Sequence, residues 1–310
     1  MPMPNFFVIA PPRSGTTSLH HLLDQHPQIY MCPIKETHFF NLEGEQFLWK
    51  EPDAKKIKRL KRDRAYQAKV THIETYRSLF EGVSDEIAIG EACPTYFRSP
   101  KAAERIRHYV PNAKLIVILR NPVDRAYSAY IARAASYNWL PDGFAHIPRT
   151  TRSEGIEKVD VQRAFVSIGF YSAHLKRYFD TFDRAQIKVY LYRDLTSDPA
   201  GTLRGIYRFL HVDETFRPDM SVRYGATGIP RSKFLHRVIK RVTSPGPVKT
   251  FLRPFVPLSL RRFLSEIRNK NLVKPPLDPE IRQEWIMLYR EDILQLQDLI
   301  QRDLSEWLEP

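Results

Sequence analysis

Cysteine and long apolar runs are scarce in this sequence. Only two of the 310 residues are cysteines, Cys32 and Cys93, which excludes a disulfide-stabilised scaffold and favours a reducing compartment. Neither has neighbours at metal-ligand spacing, so both are predicted to be buried thiols. No run of about 18 apolar residues occurs, so no membrane-spanning helix is predicted. The chain begins close to an apolar strand without a leader-like segment, and we expect a cytoplasmic protein.

Acidic residues are also in short supply, and the shortage is local. The chain has 48 Lys and Arg against 35 Asp and Glu, a formal charge of +13. Between residues 230 and 274, twelve Lys or Arg residues accompany a single acid, Glu266. Such a field attracts polyanions, whether nucleotides, sulfated sugars, nucleic acids or anionic lipids. A solvated basic face without a specific partner would have the same composition.

Short apolar runs alternate with longer helical patterns along the chain. The runs cover residues 6–10, 29–32, 87–91, 115–119 and 187–192, and the helical patterns cover 17–25, 123–136, 164–179 and 199–210. Strands that alternate with helices form a parallel sheet covered on both faces. The sequence therefore predicts a three-layer α/β fold with a central parallel sheet flanked by helices. No repeat or linker divides the chain, so we expect one domain over residues 1–310.

Three segments lie outside this alternation. Residues 49–70 are dense in Lys and Arg and are interpreted as a surface insertion with some helix. Residues 230–276 are basic and rich in proline, which predicts a flap rather than one regular element. Over residues 278–308, Asp278 offers a helix cap and Pro279 suits a first turn, and apolar residues recur at helical spacing. A C-terminal helix is expected there.

An apolar strand, a loop of small hydroxylated residues and a helix follow one another over residues 5–19. Backbone N–H groups at a helix start lack partners within the helix and carry the positive end of its dipole, so this arrangement can hold phosphate or sulfate. Arginine adds a fixed charge and the hydroxyls add donors. The predicted anion-binding residues are Arg13, Ser14, Gly15, Thr16, Thr17 and Ser18. A turn that only caps an ordinary helix is the alternative.

This loop departs from the nucleotide-triphosphate P-loop at two positions. The pattern G-x-x-x-x-G-K-[ST] has a first glycine where the chain has Ala10, and a lysine where it has Thr16. That lysine reaches the β- and γ-phosphates, so its absence argues against a triphosphate ligand. The core is therefore predicted to be P-loop-like without being a triphosphate site.

A carboxylate follows the second predicted strand, at the carboxyl edge of the sheet where ligands of open α/β folds bind. Glu36 could take a proton from an acceptor hydroxyl or amine while Lys35 or Arg13 balances its charge. A surface Lys–Glu pair without a function is the alternative. His38 is the second candidate base, because the ordinary pKa of histidine lies near neutrality.

Residues 114–130 place Arg120 at a strand end and Ser128 about two turns into the following helix. Arg125 is interpreted as structural, paired with Asp124 or another nearby carboxylate.

The pattern P-[RK]-S-G-T-T after a strand resembles the 5′-phosphosulfate loop of sulfotransferases that use 3′-phosphoadenosine 5′-phosphosulfate (PAPS). K-E-T-x-F-F at residues 35–40 is similar to the catalytic-base segment of heparan-sulfate-type enzymes and their bacterial relatives. R-N-P-x-D-R-x-x-S at residues 120–128 is similar to their 3′-phosphate segment. The resemblance implies that residues 13–18 bind the 5′-phosphosulfate, that Arg120 and Ser128 bind the 3′-phosphate, and that Glu36 is the base. Arg13 would stabilise charge on the leaving oxygen.

Three weaker segments follow in the family's order. Residues 90–97 resemble a segment that often lines the acceptor side, although Ala92 stands where lysine is usual. Residues 190–195 resemble the Y-E-D-L strand end, with Arg193 in place of glutamate. Residues 228–233 resemble the late basic loop that closes over the nucleotide, which makes Arg231 and Lys233 candidate cofactor-binding residues.

Together these segments predict a PAPS-dependent sulfotransferase that needs no metal, since no cluster of His, Cys, Asp or Glu has ligand spacing. The acceptor could be a small molecule, a glycan or a lipid, and the sequence specifies neither it nor the oligomeric state. A P-loop kinase is one alternative, and a protein that binds nucleic acid or an anionic membrane through its basic flap is another. A protein that only binds nucleic acid or a membrane leaves the Glu36 and Arg120 segments unexplained. Nucleic acid is therefore not an expected partner, whereas peripheral membrane contact is compatible with the basic flap.

Overall fold

Five parallel strands form the central sheet. The computed structural model describes residues 2–45, 53–62, 68–137, 144–145, 147–148, 166–221, 228–232, 234, 266–267 and 270–310. The strands are β1 (Phe6–Val8), β2 (Ile29–Met31), β3 (Ala88–Ala92), β4 (Lys114–Leu119) and β5 (Ile187–Leu191). Their order is β2-β3-β1-β4-β5, and every pairing is parallel.

Helices cover both faces of this sheet. Those before β4 are α1 (Thr16–Leu23), α2 (Phe39–Leu42), α3 (Ala54–Arg62), α4 (Ile73–Ser78), α5 (Pro94–Arg98) and α6 (Ala102–Tyr109). Those after it are α7 (Pro122–Tyr137), α8 (Tyr171–Thr181), α9 (Tyr192–Ser197), α10 (Pro199–Leu210) and α11 (Pro279–Ile300), with 3₁₀ turns at Arg184–Gln186 and Ser305–Leu308. A separate antiparallel ribbon pairs β6 (Ile229–Pro230) with β7 (Leu272–Val273).

Successive side chains of a strand point to opposite faces, and here both faces are apolar. Phe6 and Val8 of β1 pack in a layer with leucines of α1 and α10, whereas Phe7 packs in a second layer with residues of α5, α6, α8 and α11. All three side chains are fully buried. The predicted three-layer α/β fold with a parallel sheet is therefore confirmed.

The helix predicted over residues 164–179 is interrupted. α8 begins only at Tyr171, after a turn at Gly169, and residues 164–165 lie outside the described part of the chain. At Gly169 a Cβ atom would lie 2.5 Å from the ring of Tyr289. The Asp292 carboxylate accepts the N–H groups of Tyr171 (2.7 Å) and Ser172 (3.1 Å). A distant residue on α11 thus caps this helix, which local periodicity does not reveal.

The predicted C-terminal helix over residues 278–308 is wrong in its extent. Asp278 caps its start, as expected, by accepting backbone N–H groups of the first turn. The helix ends at Ile300 because Gln301 takes a left-handed conformation with φ of 53°. A separate 3₁₀ turn then covers Ser305–Leu308.

Two predicted segments are described only in part. α3 provides a helix within residues 49–70, whose other parts 49–52 and 63–67 lie outside the described residues. The flap 230–276 is described mainly at its two ends, which form the β6–β7 ribbon. Among the helices that the structure describes, none is long and apolar enough to span a membrane.

Both cysteines are buried, and neither forms a disulfide. Burial raises the pKa of the Cys93 thiol to about 12. This thiol is therefore protonated and unreactive at neutral pH, in agreement with the expected buried thiols.

Asp292→Ala is expected to lower the free energy of unfolding by about 1–3 kcal/mol, because it leaves the N–H groups at the start of α8 buried without an acceptor. Urea denaturation measures the change. Asp298→Ala, which removes an exposed acid from the same helix, is the control and should cost less than about 0.5 kcal/mol. Equal effects of the two substitutions would contradict the capping role of Asp292.

Candidate functional site

The loops after β1, β2, β3 and β4 leave the same edge of the sheet, because all these strands run in one direction. Val8 at the end of β1 is level with Ala92 of β3 and with Ile116 of β4. The loop carrying Arg13 and the strand end at Arg120 are therefore neighbours at this edge.

The loop between β1 and α1 has the geometry of an anion cradle. Arg13 (φ 74°) and Gly15 (φ 92°) take left-handed conformations, which turn the chain sharply before Thr16 starts the helix. The Ser14 hydroxyl is fully buried and makes no hydrogen bond with any residue that the structure describes. Leaving such a group unsatisfied costs about 1–3 kcal/mol, so a ligand oxygen is the expected partner.

Arg120 connects the end of β4 to this cradle. Its Nη1 donates to the carbonyl oxygen of Arg13 (3.1 Å), and its guanidinium carbon lies 4.7 Å from the centroid of the Tyr192 ring. The Tyr171 hydroxyl donates to the carbonyl oxygen of Arg120 (2.9 Å). The Tyr192 ring also lies against Gly15, where a Cβ atom would be 3.1 Å away. The two predicted anion sites are thus joined by one guanidinium.

Ser128 and Arg125 both lie on α7 and are buried, with 3% and 1% of their surface exposed. Arg125 interacts with the side chains of Tyr171 and Tyr289 and opposes the rise of their pKa values that burial causes. Its interpretation as a structural residue stays a prediction. Asp124, one of the carboxylates expected to pair with Arg125, forms an ion pair with Arg282 (2.9 Å).

The sequence analysis missed Lys274 as a second cation beside Arg120. Its ammonium lies 5.1 Å from the centroid of the Tyr127 ring on α7. Desolvation and then the positive charge of Arg120 lower the pKa of Lys274. Asp124 opposes this shift, but its carboxylate already pairs with Arg282 (2.9 Å). In the sequence, nothing distinguishes Lys274 from the other basic residues of the flap.

Arg231 directly follows β6, where the flap begins, and its side chain is exposed. Its N–H donates to the carbonyl oxygen of Asn271 (2.8 Å), and the Asn271 amide bonds to both backbone groups of Ser232 (3.0 and 3.1 Å). β6 contacts α7, so the β6–β7 ribbon lies beside the helix that carries Ser128. Lys233, the other candidate of this segment, lies outside the described residues.

The loop that carries Glu36 is strained. Glu36 (φ 62°) and His38 (φ 61°) are both left-handed, a conformation that costs about 1–3 kcal/mol for such residues and that clusters at functional sites. The Glu36 N–H donates to the carbonyl oxygen of Ala92 (3.1 Å). Its Oε1 lies 2.7 Å from Nζ of Lys35, and both residues are buried. Lys35 therefore balances the charge of Glu36, as one of its two expected partners.

His38 is half-buried beside Glu36. Its Nδ1 lies 3.0 Å from Oγ1 of Thr95, which also accepts the side-chain amide of Asn41 (2.6 Å). Burial lowers the pKa of His38 below 6.5, although the negative charge of Glu36 opposes the shift. The ring is therefore neutral at pH 7, and it stays the second candidate base.

Glu91 lies in the segment 90–97 that resembles an acceptor-side segment, but the sequence analysis gave this residue no role of its own. Its carboxylate is fully buried at the end of β3. It accepts hydrogen bonds from the hydroxyls of Thr37, Tyr76 (2.5 Å) and Tyr96 (2.9 Å). Burial raises the pKa of Glu91.

The segment that resembles Y-E-D-L anchors the C-terminus. Asp194 accepts two hydrogen bonds from the guanidinium of Arg302 (2.6 and 3.1 Å). Arg193, whose role the sequence left open, forms an ion pair with Glu306. Both residues therefore attach the end of the chain to the helix that follows β5.

The arrangement suits the transfer of an anionic group to a nucleophile that carries a proton. It combines an anion cradle, two neighbouring cations and a paired carboxylate at one sheet edge. Among the described residues, no group of three or more His, Cys, Asp or Glu could hold a metal ion.

Known proteins share this chain's sequence features. The model of the sulfotransferase family matches residues 4–216, which include Arg13, Glu36 and Arg120. Human heparan sulfate glucosamine 3-O-sulfotransferase 6 is 29% identical over 264 residues, which cover 85% of this chain and 68% of the relative. Mouse bifunctional heparan sulfate N-deacetylase/N-sulfotransferase 4 is 26% identical over 99% of this chain, which spans only 31% of that relative.

Solved structures share its fold. A sulfotransferase from Alicyclobacillus acidocaldarius superposes with a TM-score of 0.67 at 28% identity, over 99% of both chains. The sulfotransferase domain of the curacin biosynthetic pathway, 17% identical with a TM-score of 0.51, has the same fold.

We expect the pKa of His38 to lie below 6.5 and to fall further in Glu36→Gln, because that substitution removes the negative charge that favours the protonated ring. A ¹H–¹⁵N NMR titration measures both values, with the resonance assigned by its loss in His38→Gln. A value above 6.5 in the parent protein, or a rise in the variant, would contradict this placement of the two side chains.

Proposed function

The chain belongs to the sulfotransferase family, and we propose that it transfers the sulfuryl group of PAPS to a hydroxyl or amine of a glycan, lipid or small-molecule acceptor. Adenosine 3′,5′-bisphosphate is the second product. One observation carries the proposal: Arg120 donates to the carbonyl oxygen of Arg13 (3.1 Å) at the edge that also holds the buried Lys35–Glu36 pair. A single site thereby offers two anion positions and a base.

The donor carries negative charge at both ends of its adenosine. The N–H groups of residues 16–18 and the buried Ser14 hydroxyl suit the 5′-phosphosulfate, because a helix start attracts anions. Arg120 and Ser128 suit the 3′-phosphate, with Lys274 adding charge beside Arg120. The remaining candidate contacts are Arg231 and Lys233, from the resemblance of residues 228–233.

Glu36 acts as the general base in this proposal. It takes the acceptor's proton while the acceptor oxygen or nitrogen forms its bond to sulfur. The bond between sulfur and the bridging oxygen of the donor breaks in the same step, and Arg13 stabilises the negative charge that grows on that oxygen. The strained loop and the cradle hold these groups in place, and such positioning supplies much of the rate.

A general base can remove a proton from any hydroxyl or amine placed beside it, so Glu36 does not specify the acceptor, and the proposed acceptor class is broad. The two curated relatives named above are described as heparan sulfate enzymes, which favours a glycan. We also propose a cytoplasmic protein whose basic flap can contact an anionic acceptor or a membrane surface, since twelve Lys or Arg residues accompany one acid over residues 230–274.

Adenosine 3′,5′-bisphosphate should raise the melting temperature at micromolar concentration, and AMP and ATP should not match it. Arg120→Ala should remove most of this shift while changing the response to AMP little, and Lys274→Met should act in the same direction. A larger shift with ATP would favour a kinase. Affinity for single-stranded DNA that falls steeply with salt, without any response to the bisphosphate, would favour a polyanion-binding protein.

Glu36→Gln should reduce sulfuryl transfer by about 100-fold or more, because it removes the base while keeping the side chain's shape. Radiolabelled PAPS with extracts of the source cell detects both the transfer and its acceptor. Calorimetry should find bisphosphate affinity within about twofold of the parent protein. Loss of that affinity in the variant would instead assign Glu36 a structural role.

A further inference from the structure

Glu91 is a fully buried carboxylate that the proposed chemistry does not use. Its partners are the hydroxyls of Thr37, Tyr76 and Tyr96, and no cationic side chain among the described residues contacts it. Burying a carboxylate without a cation is unfavourable, so its hydrogen bonds must compensate. Each hydrogen bond to the carboxylate also fixes its donor, so the positions of these hydroxyl donors show which parts of the chain Glu91 holds in place.

Thr37 is the donor that connects Glu91 to the candidate base. It is fully buried and stands between Glu36 and His38, the two left-handed residues of the loop. The Thr37 hydroxyl donates to Glu91 and also accepts the N–H of Phe39 (3.3 Å). One hydroxyl thereby bridges the strained turn and the end of β3.

Tyr96 provides a second connection between Glu91 and the same loop. Its hydroxyl donates to Glu91 (2.9 Å), lies 3.1 Å from Oγ1 of Thr37 and accepts the N–H of Phe40 (3.4 Å). Because Thr37 and Tyr96 both donate to Glu91 and accept the N–H groups of Phe39 and Phe40, the loop's backbone on both sides of His38 is fixed to this buried carboxylate.

We propose that Glu91 is a positioning residue: through Thr37 and Tyr96 it holds the loop in the strained conformation from which Glu36 reaches the acceptor's proton. The inference rests on the proposed function, because it takes Glu36 as the base. Glu91 itself contacts neither donor nor acceptor. A misplacement of about 1 Å at a reacting group can cost about 100-fold in rate, so fixing this loop has a measurable effect.

Thr37→Val removes the link without changing side-chain shape. Glu91→Leu removes it by replacing the accepting carboxylate with an apolar side chain of similar size, whereas glutamine would keep an amide oxygen where Oε1 accepts from Thr37 and Tyr96. Both should slow transfer at saturating substrates by about 10- to 100-fold, with bisphosphate affinity within about twofold of the parent protein. Thr37→Ser keeps the hydroxyl and should retain most of the rate. If Glu91→Leu does not fold, the two Thr37 variants decide the question.

The chain contains a matched control elsewhere. The Ser172 hydroxyl also donates to a buried carboxylate, that of Asp292, whose pKa burial likewise raises. Ser172→Ala and Asp292→Asn should therefore lower the melting temperature yet leave the transfer rate of the folded enzyme unchanged.

The titration of His38 gives a readout that needs no acceptor. In Thr37→Val and Glu91→Leu the loop should loosen and water should reach the imidazole, so the pKa of His38 should rise towards 6.5. In Ser172→Ala it should stay at the parent value. NMR measures all of these variants under the same conditions.

An unchanged rate and an unchanged His38 titration in Thr37→Val would overturn the inference. So would a loss of bisphosphate affinity equal to the loss of rate, because the effect would then extend beyond the loop. If the parent protein transfers no sulfuryl group, the proposed function fails, and the His38 titration alone decides whether Glu91 holds the loop.

Discussion

The register of β1 between β3 and β4 determines where the candidate site residues lie. Val8 is level with Ala92 and Ile116, so the loops that follow these strands start side by side. A shift of one residue would turn Phe6 and Val8 into the opposite apolar layer, which the packing on both faces opposes. The geometry of the site is therefore a consequence of how the core packs around one short strand.

Backbone strain is concentrated at this edge and is offset by contacts from other elements. Arg13 and Glu36 are both left-handed. The first is held by the Arg120 guanidinium, and the second lies next to Thr37, which the buried Glu91 carboxylate holds. Groups fixed in this way need little reorganisation when charge develops, which is how preorganised sites stabilise a transition state.

Apolar periodicity predicted the strands and the layers well, because both depend on local patterns that repeat along the chain. It predicted helix ends poorly at two places. The pattern over residues 164–179 did not reveal the break before Tyr171, whose cap comes from Asp292, and the pattern over residues 278–308 did not reveal the left-handed Gln301. The first depends on a partner distant in the sequence, and the second on a backbone conformation that side-chain spacing does not encode.

The sequence by itself determined the chemical character of the site. A strand, a hydroxylated loop and a helix start at residues 5–19 form an anion cradle through local geometry, and the patterns around Glu36 and Arg120 are equally local. Only the tertiary structure decided that Lys274 lies near Arg120 and that Glu91 holds the loop of Glu36. Those contacts join residues far apart in the chain, and the packing of helices and strands into one core sets them, so no local pattern could specify them.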